Sequence, residues 1–497
     1  MTASTAIRLI EKALSPDETQ QFEFASRFEL VLTAFPPKVV ISELYPFLAT
    51  WIPRNNERIV KALSEKVDKM VSVKGSIVAF APVLESLLAS ENKQIAAILK
   101  AKLKAYKPEG DVFSFFKRLL ASPLDFVRAF VPQITHLVLN PEEKKQIYSS
   151  ISYDSAYKVR FASIISIPTL DAELAQQVAT TFCNDAHSRI RSLLPVVCSC
   201  LPFWLTAIAP ILQVDHDWSV RASLAKELVK CQDCNAALAL AVKLTEDNVW
   251  QVTLCALGSV TQILEANQTA NIENVQYYLS TLSKIIGFTQ STLKNAVINV
   301  FLSIYGKGSS SLNHEQVFAF VDDVISKQPS SVKLHFLEAL GQSKSLTLLN
   351  LIRNKLFEVI VSLLKCDQWR VRLGVIQVLI NLVCIENDPE LRKLFSGLCL
   401  NSLADESAPV REAASISLAN FFIQEKGTTP LPTCFAELKS SDSFRKRQSA
   451  ILLLKDIIKI SNDPKIKQNM LQEIAAFESD SCINVAMLAK QFSAELK

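Results

Sequence analysis

Apolar side chains recur along this chain with a period close to 3.6 residues, and the stripes come in pairs. Leu356, Ile360, Leu363 and Leu364 follow the i, i+4, i+7, i+8 spacing of one helical face, with Phe357 and Val361 beside them. A short polar stretch interrupts the pattern, and Val371, Val375, Val378 and Leu382 then draw a second stripe. β-Branched residues are numerous, but the period is 3.6 rather than 2, so both segments read as helices. Neither helix can bury its stripe alone. Stacking successive pairs side by side completes a continuous core, which is the physical basis of a solenoid.

The turn inside each pair carries a signature: an Asp or small residue, then Val/Ile-Arg/Lys opening the second helix. The plainest copies are Asp154 to Arg160, Asp185 to Arg191, Asp215 to Arg221, Asp367 to Arg372 and Asp405 to Arg411. The basic marker gives the period. Lys294, Lys333, Arg372 and Arg411 are each 39 residues apart, while Arg128, Arg160, Arg191 and Arg221 are 32, 31 and 30 apart. Both spacings suit a two-helix unit at or just below the usual HEAT length. The register predicts fourteen units, with turns near residues 17, 55, 92, 125, 155, 186, 216, 248, 290, 329, 367, 406, 442 and 480. The pattern is faintest in the second, third and ninth. No linker divides the chain, and Pro430 and Pro432 mark a break between units twelve and thirteen. The expectation is one all-α HEAT-repeat solenoid over residues 1–497, with an N-terminal half, 1–265, and a C-terminal half, 266–497.

Composition narrows the function more than the fold. Only 10 glycines occur in 497 residues, which disfavours the tight turns of α/β and β-sandwich architectures. The net charge of +4 is spread over 53 basic and 49 acidic residues, too balanced for a nucleic-acid footprint. Eleven cysteines are scattered without a framework, and several, such as Cys183, Cys255, Cys384 and Cys399, sit in apolar runs. That usage fits a reducing cytosolic or nuclear setting. Residues 1–20 mix polar and charged positions and predict no signal peptide. Ser192–Val214 has no charged side chain and could span a bilayer by length alone. Pro195, Pro202 and Pro210 interrupt it, so it reads as two soluble helices parting near Pro202, with Leu193, Val196 and Val197 in the core.

Catalytic chemistry finds little support. The five histidines lie in different units, and Cys231-Gln-Asp-Cys234 is a lone CxxC, better read as two cysteines at a helix end than as a zinc site. Some HEAT-like iron hydroxylases use several His-Glu dipeptides, whereas this chain has only His314-Glu315. No phosphate loop or nucleophile elbow is present, so no cofactor and no metal is expected, and the chain reads as a non-enzyme. The informative side chains are in the turns. The arginine closing each motif can pair with an Asp of the next unit, forming a ladder that fixes stacking. Trp218, Trp369 and Arg370 come just before such an arginine, where little of the core can reach them, and such residues are typical of interface hot spots.

Four of these segments resemble the scaffold (A) subunit family of protein phosphatase 2A. Trp369-Arg-Val-Arg-Leu373 is similar to that family's eleventh turn, Asp217-Trp-Ser-Val-Arg221 to its seventh, Val410-Arg-Glu-Ala-Ala414 to its twelfth and Glu43-Leu-Tyr-Pro-Phe-Leu48 to its second. They fall in the same order and units as the register above. The resemblance implies a scaffold that catalyses nothing and forms hetero-dimers and trimers, with no membrane or nucleic-acid partner. It implies a phosphatase catalytic subunit on Trp369, Arg370, Pro409, Arg411, Glu412 and Arg445. It implies an exchangeable regulatory B-type subunit on Tyr157, Arg160, Trp218 and Arg221. The chain departs from the family in having fourteen units rather than fifteen, the shortfall falling at the C-terminal end, where Ile483-Asn-Val-Ala lacks the basic marker. Ser219 stands where the family has a second Arg, and residues 125–128 lack its tryptophan. Rival classes are another HEAT-repeat adaptor or a transport receptor of the importin-β kind, but the latter solenoids resemble longer, clearly acidic arrays.

Overall fold

The structure is a computed structural model and describes residues 3–104, 106–107, 110–267, 272, 275–307, 314–343, 346–385, 389–424 and 431–496. It is all helix, with no strand among the described residues. Each of the fourteen expected turns separates two helical stretches, including those of the second, third and ninth pairs. Pro430 lies outside the described residues, and Pro432 falls in the helix Leu431–Lys439. The chain divides into two compact units, Met1–Ala237 and Leu238–Lys497.

Within the first unit the helices are short and often change pitch. A π-turn over Val40–Leu44 runs into Tyr45–Trp51, and the helix Asp125–Phe130 tightens to 3-10 over Val131–Leu137. Prolines cause much of this. Pro132 and Pro168 open the 3-10 ends of their helices, because a proline has no N–H to give the preceding turn. Within the second unit the second helix of each pair runs longer, as in Trp250–Ala266, Trp369–Ile385, Ala408–Gln424 and Phe444–Ile460. The shift from roughly 31-residue to 39-residue spacing in the sequence is this lengthening.

Core stripes fall where the periodicity places them. Leu356, Ile360 and Leu363 are buried, as are Val371, Val375, Val378 and Leu382. Each such side chain removed from water contributes about 1.5–3 kcal/mol before entropy is counted. Gly374 has a packing reason. A Cβ there would lie 2.6 Å from Leu334 Cδ2, so the glycine lets helix Trp369–Ile385 approach helix Ser330–Ser343 closely.

Ser192–Val214 corrects one expectation. The segment does break, with Leu193–Cys198 followed by Trp204–Ile208 and Ala209–Leu212, and no helix of the described residues is long and apolar enough to cross a membrane. The core register, however, is shifted by one. Val196 is 48% exposed and Leu193 and Val197 are half-buried, while Ile190, Leu194 and Cys198 form the buried i, i+4, i+8 stripe.

Candidate protein-binding ridge

The turn signature builds one repeated device. In the turn before helix Tyr157–Ser166, Asp154 accepts the N–H of Ala156 at 2.8 Å, fixing the chain reversal. Six residues on, Arg160 donates one Nη to the Asp154 carbonyl at 2.8 Å and turns the rest of its fork to the next turn. There Nε and the other Nη meet Asp185 at 2.6 and 3.3 Å. The same arrangement joins Arg128 to Asp154 and Arg191 to Asp215 in the first unit. In the second unit it joins Arg372 to Asp405 and Arg447 to Asp480. Lys294 makes a single-bond version, donating to the uncharged Gln328 amide oxygen at 2.7 Å. The arginine bridges are bidentate and largely shielded from water, and they fasten one pair to the next.

Electrostatics follow from that geometry. The Arg447 fork, with the Cys482 N–H, holds the Asp480 carboxyl below the usual carboxylate range. At Asp405 burial pulls the other way and is outweighed by Arg372 and the Ser407 N–H, so its pKa is also lowered. A carboxyl whose folded pKa is depressed stabilises the fold above its unfolded pKa of about 4 and loses that contribution as pH falls through the folded value. The wild-type chain should therefore lose stability between pH 5 and pH 3, by urea titration, more steeply than Asp480→Asn. Equal slopes would remove this bridge from the acid response.

The ladder commits some turn residues to structure and leaves others on the surface. Arg160 is 8% exposed and spent on Asp154, Ser155 and Asp185. Tyr157, the first residue of its helix, stays on the surface, 6.0 Å from both the Phe161 and His187 rings. Lys158 beside it lies 3.5 Å from Glu91 and 3.4 Å from Asp125, so turns three, four and five line one edge of the first unit. Trp218 also opens its helix on the surface. Asp217 caps that helix through Ser219 N at 2.9 Å, and hydrogen bonds from Ser188 and Ser219 hold its pKa at about 2. Arg221 is half-buried and donates to the Asp215 carbonyl at 2.6 Å.

The second unit gathers the other candidates. Trp369 is 37% exposed, and the Arg370 guanidinium carbon lies 4.9 Å from its ring centre. On the following turns Pro409, Glu412 and Arg445 are exposed and Arg411 is half-buried. Two residues escaped the sequence reading: Trp250 and Phe444, both exposed and both opening a second helix. Phe444 repeats the Trp369-Arg370 arrangement, with Arg445 5.9 Å from its ring centre. Aligning the turns three residues before the marker would have found Phe444. At Trp250 the marker is replaced by Thr253, whose hydroxyl bonds the Asp247 carbonyl at 3.1 Å.

Chemistry of other kinds is poorly served. No cluster of three or more His, Cys, Asp or Glu suited to a metal occurs among the described residues. Burial pushes the Cys231 thiol up to about 11 and the Cys399 thiol up to about 12, which keeps both protonated.

Comparison with known proteins agrees with the architecture. No family model matches the chain. No curated protein matches it either. Among solved structures, that of Kap121p superposes with a TM-score of 0.52 at 14% identity over 99% of this chain. A Kap121p mutant gives 0.53 at 14% over 95%, and Kap95p bound to RanGDP gives 0.51 at 12% over 100%. The fold is that of a HEAT-repeat solenoid. This chain spans 52% of the Kap121p chains and 66% of the Kap95p chain. Identities this low speak to the fold and not to the partner.

Proposed function

We propose that this HEAT-repeat protein is a non-catalytic scaffold for a serine/threonine phosphatase of the 2A type. The catalytic subunit docks on the turns of residues 266–497, through Trp369, Arg370, Pro409, Arg411, Glu412 and Arg445. A regulatory subunit docks on the turns of residues 1–265, through Tyr157 and Trp218, with Arg160 and Arg221 shaping the turns beneath. Holding both raises the effective concentration of a substrate-bound regulator at the active site. The supporting observation is the exposed Trp369-Arg370 stack. An aromatic ring and a guanidinium left on a turn, with the neighbouring arginine already spent on the ladder, are the anchors interfaces reuse.

A second reading is favoured by the solved-structure likenesses, which include Kap121p and Kap95p: an importin-β-like transport receptor. The balanced charge of +4 gives it no support. One experiment separates the two. The tagged chain is captured from its own cells, and bound proteins are identified by mass spectrometry, in parallel with a binding assay using a GTP-loaded small transport GTPase. A phosphatase catalytic chain at near-equal amount supports the scaffold. Retention of the GTPase with no phosphatase would replace it with the transport reading.

A further inference from the structure

The arginine–aspartate bridges between marked turns share one register. Arg128 reaches Asp154, which lies six residues before Arg160; Arg160 reaches Asp185, six before Arg191; Arg191 reaches Asp215, six before Arg221; and Arg372 reaches Asp405, six before Arg411. Arg411 keeps the first half of the device, donating Nη1 to the carbonyls of Asp405 and Glu406 at 2.8 and 2.9 Å. The second half is unmet. Six residues before Arg447 stands Ser441, and among the described residues no carboxylate pairs with Arg411.

Ser441 otherwise does what a rung aspartate does. Its Oγ accepts the Ser443 N–H at 3.3 Å, as Asp405 accepts the Ser407 N–H at 2.8 Å. Its carbonyl accepts Arg447 Nη1 at 2.7 Å, as that of Asp405 accepts Arg411. The flanking helices are held together independently, by Ser415 with Asp456 at 2.7 Å and by Ser449 with the Leu403 carbonyl at 2.7 Å. The turn is thus a complete rung lacking only its anion.

We propose that Ser441 is a phosphorylation site and that its phosphate fills this rung. A protein kinase would supply the group from ATP. The Ser441 Oγ–P bond forms, the bond from the γ-phosphorus to the bridging oxygen breaks, ADP leaves, and the hydroxyl proton passes to the kinase's base. The product carries close to two negative charges and offers oxygens to Nε and Nη2 of Arg411, the bidentate pairing that guanidinium favours. Ser440, Asp442 and Ser443 are exposed around it, so the turn is accessible, and only Ser441 stands in the ladder register. The phosphate would also offset the positive charge between Arg411 and Arg445 on the ridge. The rung would form whatever the ridge binds.

The test uses the 497-residue chain with phosphoserine incorporated at position 441, beside Ser441→Asp and Ser441→Ala, each with Arg411 intact or changed to Gln. Phosphoserine and Asp should raise the melting temperature by on the order of 2 °C, the Ala variant should not, and the rise should vanish with Arg411→Gln. No rise, or a rise that survives Arg411→Gln, overturns the rung. Phosphopeptide mapping of protein isolated from its own cells, growing and treated with phosphatase inhibitor, should find phosphate on Ser441. Coverage of residues 440–443 with Ser441 unmodified in both preparations would overturn the modification.

Discussion

Arg191→Ala should destabilise the first unit by about 3–5 kcal/mol, measured by urea titration, because it removes one partner of a buried pair. The Arg191 side chain is 4% exposed and that of Asp215 6%, and the fork closes at 2.6 and 2.9 Å. The variant leaves Asp215 buried without its guanidinium partner, with only the exposed His216 ring 3.5 Å away, and also frees the Asp185 carbonyl that Arg191 holds at 2.6 Å. The comparison is Lys158→Ala. Its two bridges are more than half exposed on the lysine side, so the loss there should stay within about 0.5 kcal/mol. Arg191→Met with Asp215→Leu should recover much of the stability, since the penalty comes from the orphaned charge. Similar losses for Arg191→Ala and Lys158→Ala would mean that the ladder does not fasten the stack.

Trp369→Ala with Arg370→Ala should weaken binding of the phosphatase catalytic subunit by well over tenfold. A central aromatic or arginine anchor commonly carries about 2 kcal/mol or more, and 1.4 kcal/mol is already a factor of ten. Stability should hardly change. Both residues are exposed, and the Arg370 guanidinium makes its close approach to the neighbouring indole, so no large cavity opens. Phe444→Ala should show a smaller loss of the same kind, because its stack with Arg445 is looser, at 5.9 Å against 4.9 Å. Titration calorimetry gives both affinities. Full binding by the double variant would take this turn out of the interface.

Local chemistry decided what could be read beforehand. The helix pairs and their turns were legible because the stripes repeat at helical spacing and the marker recurs 30 to 32 residues apart in one half and 39 apart in the other. The ladder was legible as an expectation, since an Asp and an Arg six apart invite pairing with the next unit. Which surface a given arginine serves was not legible. Arg160 and Arg370 are the same residue type near the same kind of turn, yet one is buried against Asp185 and the other stacks on an exposed indole. Their difference is a position relative to the helix start, two residues apart. Val196 shows the same limit: a one-residue error in helical register moves a side chain by 100° from core to solvent. Trp250 escaped because Thr253 replaces the arginine that marks its turn elsewhere. The unfilled rung at Ser441 emerged only once the bridges had fixed the register.

Within a single turn the ladder arginine and the exposed pair divide the labour, and one pair of variants tests this. Arg372 lies two residues from Arg370 and bridges Asp405 at 2.7 Å. Melting curves and calorimetric affinity for the catalytic subunit are to be measured on Arg372→Ala and on Trp369→Ala with Arg370→Ala. Arg372→Ala should lower the melting temperature by several degrees, with affinity per folded molecule changed little. The double variant should melt with the wild type and bind well over tenfold more weakly. Two variants that lose stability and affinity in parallel would contradict the claim that the ladder holds the fold while the exposed pair holds the partner.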